Sequence, residues 1–211
     1  GLTSASLALL IQYIASQLLG IATPLHLLEI SRPDHPLLQY ILINAPGTYQ
    51  HSLQVSNLAE QAAKAIGADQ LVTRVGALFH DCGKAVNAPF FVENQLPGKL
   101  DSHENMDPAV AAQTIINHVE DGVKLANKYH LPPRLIDFIR EHHGTAITRY
   151  QYCRALEGNN NDETKLNLTQ FQYPGPRPRS RETAILMLAD GAEARARAEL
   201  PASDAELREL I

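Results

Sequence analysis

Apolar residues recur every three or four positions along much of the chain, which is the spacing of amphipathic helices. Such a stripe covers His51 to Ile66, and Gly67 ends it. Further helices are predicted, with approximate bounds, at 37–44, 69–81, 107–120, 121–129, 134–142 and 181–200, with another beginning near 204. The alternating pattern of strands is nearly absent. The sequence therefore predicts an all-α fold.

Proline and glycine interrupt this pattern at several points. Pro46-Gly47-Thr48 predicts a break before the helix at His51, and residues 88–105 are expected to be irregular. Residues 158–178 read as a long loop, because the run Asn159-Asn160-Asn161 and the proline-rich segment after it resist regular structure. A loop of this length within a compact domain is usually functional or mobile.

The amino-terminal segment is apolar and uncharged. No Asp, Glu, Lys or Arg precedes Glu29, and the run from Leu7 to Ala22 contains only Gln12, Ser16 and Gln17 as polar interruptions besides its tyrosine. The run is slightly shorter than the about 20 residues that span a bilayer. It also lacks the basic segment of a signal peptide. Composition leaves two interpretations open: a buried core helix, or the end of a transmembrane helix that continues upstream.

Composition narrows the class of protein. The 211 residues are 45 % hydrophobic, which allows a sizeable core. The net charge of −5, from 18 basic and 23 acidic side chains, argues against a binder of long nucleic acid, which usually presents a basic face. Cys82 and Cys153 form no CxxC motif, so a disulfide framework is not expected and a reducing compartment fits.

The candidate chemistry lies in a scattered set of histidines and aspartates, in or at the ends of predicted helices. A lone histidine is more often structural than a ligand. However, the doublet His80-Asp81 and Asp190, which directly follows the apolar run 184–189, would each leave a buried carboxylate without a partner. We expect two divalent ions of the Fe, Mn, Co, Ni or Zn type, and a phosphoester-cleaving site. The candidate ligands are His51, His80, Asp81, His118, His142, His143 and Asp190.

The charges of this set suit a phosphodiester. Two divalent ions would bring +4 and the two aspartates −2, so a hydroxide between the ions would leave about +1. Paired ions can generate that hydroxide near neutral pH and clamp the attacking and leaving oxygens. Lys84 is either a phosphate-neutralising group or a solvated lysine at a helix end. Similarly, Arg177, Arg179 and Arg181 either grip a second phosphate or belong to a solvated loop.

The same residues resemble a known signature. His51, His80-Asp81 and Asp190 are similar to the H…HD…D pattern of HD-domain phosphohydrolases, and His118 with His142-His143 resembles the additional ligands of its dinuclear subset. Over about residues 24–200 the chain resembles the seven-transmembrane HD proteins of the PgpH type. Segments that carry this likeness are 45–52, 89–95, 121–123, 141–145 and 171–176.

The resemblance implies an all-α HD-domain helical bundle with a dinuclear metal site. Members of that family are membrane-anchored bacterial phosphodiesterases that linearise cyclic di-AMP to pApA. By this resemblance, one iron or manganese ion would bind His51, His80, Asp81 and Asp190. The other would bind His118, His142 and His143, with Asp81 bridging. The implied catalytic residues are Asp81, His80 and Lys84.

The resemblance also implies an organisation. Residues 1–23 would be the end of a transmembrane helix, and residues 24–211 a cytoplasmic HD domain at the inner membrane of a bacterium. The family normally continues beyond the last residue here, so we expect an excised fragment, for which a homodimer is a further option. Two departures stand out: Gln50 lies where such proteins often carry a second histidine, and the asparagine-rich stretch 157–169 has no clear counterpart.

Three alternatives stay open. A cyclic di-GMP phosphodiesterase would carry Gly-Tyr-Pro after the histidine doublet, whereas Gly144-Thr145-Ala146 follows here. A mononuclear nucleotidase would leave His118, His142 and His143 unexplained. A domain that binds a nucleotide and signals without catalysis would be expected to lack one or more ligands, and all seven are present.

Overall fold

The computed structural model describes residues 22–95 and 106–210, together with Ser4, Ser6 and Leu7. Within these residues no β-strand forms, and one isolated antiparallel bridge joins Ile147 to Gln172. The all-α expectation is thus confirmed. The α-helices of this part of the chain are α1 (Pro24–Ile30), α2 (Pro36–Asn44), α3 (Pro46–Ile66), α4 (Gln70–Phe79), α5 (Pro108–Ile116), α6 (His118–Lys128), α7 (Pro133–Glu141), α8 (Arg149–Gly158), α9 (Arg181–Glu199) and α10 (Asp204–Leu210).

The two larger apolar clusters of the described residues join most of the helices. The larger cluster joins α2, α4, α6 and α7 through fully buried side chains such as Leu37, Phe79 and Leu135. The second packs α9 onto α3 and α4 through Val55, Leu186 and their neighbours. Burying each large aliphatic or aromatic side chain contributes roughly 1.5–3 kcal/mol. The packing of α9 against α3 and α4 brings together the elements that carry three of the predicted ligands.

Helix α3 begins five residues earlier than the sequence predicted. Pro46 is its first residue, so the expected break at Pro46-Gly47-Thr48 is wrong. Proline suits the first helical position, where its missing N–H would have had no intrahelical acceptor and its φ is already helical. Gly67 ends the helix in the left-handed conformation, at φ +68°, as its position in the sequence indicated.

The helix boundaries near the predicted ligands also differ from expectation. Helix α4 ends at Phe79, with His80 at its C-cap and a 3₁₀ turn over Cys82–Val86. The predicted helix 107–120 is divided, because α5 ends at Ile116. The sequence predicted that His118 ends a helix, but His118 instead begins α6.

Helix α8 was not predicted from the sequence. Its residues carry no clear apolar stripe, and only Gln151 and Ala155 are buried. Ala155 packs with Ala112 of α5 and with Phe171, which fixes α8 against α5. The following segment is largely irregular, as expected, apart from the 3₁₀ turns Glu163–Lys165 and Leu168–Gln170.

The predicted transmembrane end, residues 1–23, lies almost wholly outside the described residues. His103, in the segment 96–105, also lies outside them. Among the helices of the described ranges, none combines the length and apolar character needed to cross a membrane.

Candidate metal centre

Three histidines lie beside helix ends and share one hydrogen-bond arrangement. In each, ring Nδ1 donates to the carbonyl oxygen three residues earlier, in the last turn of a helix. A carbonyl can only accept, so Nδ1 carries the proton and Nε2 is left as a lone-pair donor. These helix-end carbonyls lack intrahelical partners, which is why the site forms there. The bonds are His80 to Ala77 (2.7 Å), His118 to Ile115 (2.6 Å) and His142 to Ile139 (2.8 Å).

His51 reaches the same place from α3 and is oriented by α9. Its Nδ1 lies 2.6 Å from Oε2 of Glu193, and its Nε2 lies 3.0 Å from Oδ1 of Asp190. Glu193 follows Asp190 by three residues, so both side chains lie on one face of α9. A carboxylate that accepts from Nδ1 turns Nε2 toward the site, as in carboxylate–histidine–metal arrangements.

The carboxylate of Asp81 lies between two groups of histidines. Its Oδ2 is 3.3 Å from Nε2 of His80 and 3.6 Å from Nε2 of His51. Its Oδ1 is 3.3 Å from Nε2 of His118 and 3.4 Å from Nε2 of His142. Asp81 therefore presents one oxygen to each group.

The structure brings all seven predicted ligands together as two overlapping sets. Within each set, one donor atom per residue lies within 4.8 Å of the others. Ligand atoms about 2.1 Å from a common ion are about 3.0–3.4 Å from each other, close to the separations seen here. The sets are His51, His80, Asp81 and Asp190, and Asp81, His118, His142 and His143.

Two buried polar atoms in this cluster have no hydrogen-bond partner. They are Nε2 of His80 and Oδ1 of Asp81. A buried polar atom without a partner costs about 1–3 kcal/mol. A cation between the donor sets would satisfy both atoms, so the residues present fit divalent metal ions.

The electrostatics of the cluster favour ionised carboxylates. Burial alone would raise the pKa of Asp81, but the charges of Lys84 and His80 hold it well below its usual value. Burial likewise opposes ionisation of Asp190, but the hydrogen bond with His51 and the charge of His80 keep its pKa well below the usual value.

The pKa values of two histidines in this cluster shift in opposite directions. Burial disfavours a charged His80, yet the negative charges of Asp81 and Asp190 raise its pKa to about 10. Burial, followed by the charges of His142 and His118, holds the pKa of His143 well below its usual value. A cation that binds His80 must displace its proton, so metal binding at this cluster releases protons.

Lys84 is held inside the site rather than solvated. Its Nζ lies 2.7 Å from Oδ2 of Asp81 and 3.0 Å from Oε1 of Glu93. Burial would lower the pKa of Lys84, but these two carboxylates raise it above its ordinary value, so the ammonium stays charged. Thr48 donates to the same Glu93 oxygen, at 3.2 Å.

The three arginines proposed as phosphate ligands have other partners. Arg179 pairs with Glu141 at 2.7 Å and with Asp137 at 3.1 Å. Nε of Arg177 donates to Oγ1 of Thr145, and Arg181 lies near the carbonyl oxygens that end α3. None of them lines the cavity beside the metal ligands. Arg181 begins α9 and therefore does not belong to a loop.

Sequence reasoning missed two acidic residues of the site. Glu193 could have been found, because it lies one helical turn from Asp190 on the same face. Glu93 comes from the 3₁₀ turn Val92–Asn94 and carries no such signal. The charges of Lys84 and Glu93 cancel each other, and Glu193 adds one negative charge. The expected net charge of the metal-loaded site therefore falls from about +1 to about zero.

A cavity of about 430 Å³ adjoins the second donor set. Two of the predicted ligands form part of its wall, and the remaining wall is mostly aromatic and aliphatic. Such a cleft, apolar with a few convergent polar groups, is typical of a small-molecule site. Among the residues that line it are Lys84, Phe91, His118, His143, Gln151 and Tyr173.

Replacing Glu193 by glutamine should weaken metal binding by about tenfold or more, because the loss of a carboxylate that orients a ligand histidine typically costs 10–100-fold. Competition with a chromogenic chelator would measure the affinity. Glu199→Gln, at the exposed end of the same helix, is the matched control and should bind as the unmodified protein does. Equal affinities in both variants would contradict this role of Glu193.

A protein-family model described as HD domain matches residues 48–195. Cyclic-di-AMP phosphodiesterase PgpH of Listeria monocytogenes is 39 % identical over 192 residues, covering 91 % of this chain and 26 % of that protein. The Bacillus subtilis protein of the same name is 42 % identical over 139 residues, covering 65 % of this chain and 19 % of the relative. This chain thus spans about a quarter or less of the length of these relatives.

A solved structure of one of these relatives is similar to this chain in fold and in sequence. The crystal structure of the L. monocytogenes PgpH HD domain in complex with cyclic-di-AMP has a TM-score of 0.79 to this chain at 39 % identity. The match covers 85 % of this chain and 82 % of that one. The similarity therefore extends over about four-fifths of the solved chain.

Proposed function

The chain belongs to the HD domain family, and we propose that it hydrolyses the phosphodiester of cyclic di-AMP to give 5′-pApA. The observation that carries this proposal is the pair of donor sets that share Asp81, the second of which adjoins a cavity large enough for a nucleoside. The similarity to PgpH HD domains, one of them solved with cyclic-di-AMP, supports the substrate.

We propose that two divalent transition-metal ions bind here, with Asp81 shared between them. The mixture of imidazole and carboxylate donors suits iron or manganese better than magnesium or calcium. When bound, such a pair supplies an activated water near neutral pH and positive charge that offsets the reacting phosphate. The unpartnered atoms of His80 and Asp81 support this occupancy.

The side chains of the site have separate tasks in this proposal. The helix-end carbonyls and Glu193 hold the imidazole rings in fixed orientations, so little reorganisation is needed on binding. The Lys84 ammonium lies at the wall of the cavity, where it would attract a non-bridging phosphate oxygen. Burial of Asp81, His80 and His142 keeps bulk water away and strengthens these interactions.

A time course should show pApA accumulating before any AMP. Opening the ring creates a terminal phosphate with additional negative charge, and Glu93 and Glu193 leave the site near neutral, so the product should be held less well than the substrate. Liquid chromatography of the Mn(II)-loaded protein with cyclic di-AMP and cyclic di-GMP would follow both products.

Chelated protein is the control for that experiment and should leave both dinucleotides intact. Prompt AMP without a pApA stage would contradict the proposed product. Faster cleavage of cyclic di-GMP would favour the runner-up function. Absence of any turnover with full metal loading would favour a nucleotide-binding module without catalysis.

We also propose that the domain works at the cytoplasmic face of a bacterial inner membrane. The support is the uncharged apolar sequence before Glu29 together with the similarity to PgpH proteins. Fractionation of the full-length protein tests this, and its recovery in the soluble fraction would contradict it.

A further inference from the structure

Helix α8 places a glutamine amide in the wall of the cavity. Gln151 is only 6 % exposed and lines the cavity, yet no protein group hydrogen-bonds to its amide within the part of the chain that the structure describes. Its amide atoms are not among the fully enclosed unpaired atoms of the described residues, so they are open to the cavity. Such a side chain is suited to a polar ligand that enters the cavity.

The surroundings of this amide suit a flat heterocycle. Phe90, Phe91, Ile115, Tyr150 and Tyr173 give the cavity an aromatic and aliphatic lining. Unstacked nucleobases commonly bind proteins by stacking on such rings while their polar edges pair with side chains. This part of the wall is therefore complementary to a base rather than to a phosphate.

The phosphate end of the cavity lies at the metal ligands. Lys84, His118 and His143 line the same cavity as Gln151, so one compartment connects the second donor set with the amide. A phosphodiester at the donor sets would thus leave one attached base within the cavity. This step rests on the proposed function.

We propose that the Gln151 amide reads the base of the bound dinucleotide and selects adenine over guanine. A carboxamide presents an N–H donor beside a carbonyl acceptor. Adenine offers the complementary pair at one edge, with N7 accepting and the N6 amino group donating. Guanine offers N7 and O6, both acceptors, so the amide carbonyl of Gln151 would face an oxygen.

Substitutions of Gln151 should separate base selection from folding. Gln151→Leu removes both polar groups at similar size, so kcat/KM for cyclic di-AMP should fall by about tenfold to a hundredfold, the range for loss of a bidentate base contact. Gln151→Glu accepts but cannot donate to N7, and it can accept from the N1–H and amino group of guanine. The preference for adenine over guanine should therefore be smaller in Gln151→Glu than in Gln151→Leu, or should reverse.

A base analogue tests the contact itself. The 7-deaza analogue of cyclic di-AMP lacks the N7 acceptor, so the unmodified protein should cleave it about tenfold more slowly than cyclic di-AMP. Gln151→Leu should cleave the two compounds equally. Melting temperature and metal content should match those of the unmodified protein in both variants, because the amide has no protein partner. Gln61→Leu, on the exposed face of α3, is the matched control and should keep the original selectivity.

The outcomes separate this inference from the proposed function. If the unmodified protein cleaves cyclic di-AMP but Gln151→Leu keeps its adenine preference, the role of Gln151 is wrong and the function stands. An equal loss on the 7-deaza analogue in both proteins would also overturn the role. If the unmodified, metal-loaded protein cleaves neither dinucleotide, the function fails and the inference fails with it.

Discussion

Replacing Asp81 by alanine should remove both metal ions and lower phosphodiesterase activity by more than about 100-fold. Its two oxygens face different histidine groups, so one substitution takes a donor from each set. Loss of a residue that merely orients a ligand already costs 10–100-fold, and a shared donor should cost more. The helical fold should persist, because the apolar clusters are built from other residues.

Metal analysis and circular dichroism of matched variants would test this expectation. His51→Ala takes a donor from one set only, so it should retain one ion where Asp81→Ala retains none. Asp34→Ala removes an exposed carboxylate that pairs with Arg32, and it should keep both ions and full activity. Two ions and near-normal turnover in Asp81→Ala would show that this carboxylate is not shared.

Gly83→Ala should destabilise the domain by about 1–3 kcal/mol and abolish most of the activity. An added Cβ would meet the carbonyl oxygen of His118 and the amide nitrogen of Gly122. Both are backbone atoms at the start of α6, so a side-chain rotation cannot relieve the contact. Helix α6 must shift, and His118 would move with it away from Asp81.

Gly191→Ala is the matched control for this prediction. Gly191 lies within α9, beside Asp190, and an added Cβ there meets nothing within 4 Å. Alanine should therefore stabilise the helix by about 0.5–1 kcal/mol and leave activity intact. Thermal unfolding with parallel activity assays would compare the two, and a Gly83→Ala protein as stable and active as the unmodified one would refute the close approach.

The helices that the sequence predicted well are those with a clear start signal, a proline at the first position of α7 and a capping serine, Ser180, before α9. The expected helices 134–142 and 181–200 correspond to α7 and α9 within one residue at each end. Errors occurred where neighbours outside the local window decide the structure. Helix α8 has no stripe and is fixed by contacts with α5 and Phe171.

Among the predicted ligands, too, some features follow from neighbouring residues and others depend on tertiary packing. Adjacent His80 and Asp81, and Asp190 within an apolar run, can be singled out because a buried charge or imidazole needs a partner whatever the fold. The place of His118 at the start of α6, rather than at the end of a helix, depends on where α5 stops and α6 packs against the turn Cys82–Val86.

The sequence by itself determined the helical class of the described chain and the residue types that meet in its centre. Helical periodicity and the cost of burying a charge are local properties, so they can be read from neighbouring residues. The resemblance to a known family already implied that Asp81 is shared between the two sets. Only the tertiary structure decided that Glu93 and Glu193 join the site and that Gln151 lines the cavity. These residues come from segments far apart in the chain, and their meeting depends on how whole helices pack.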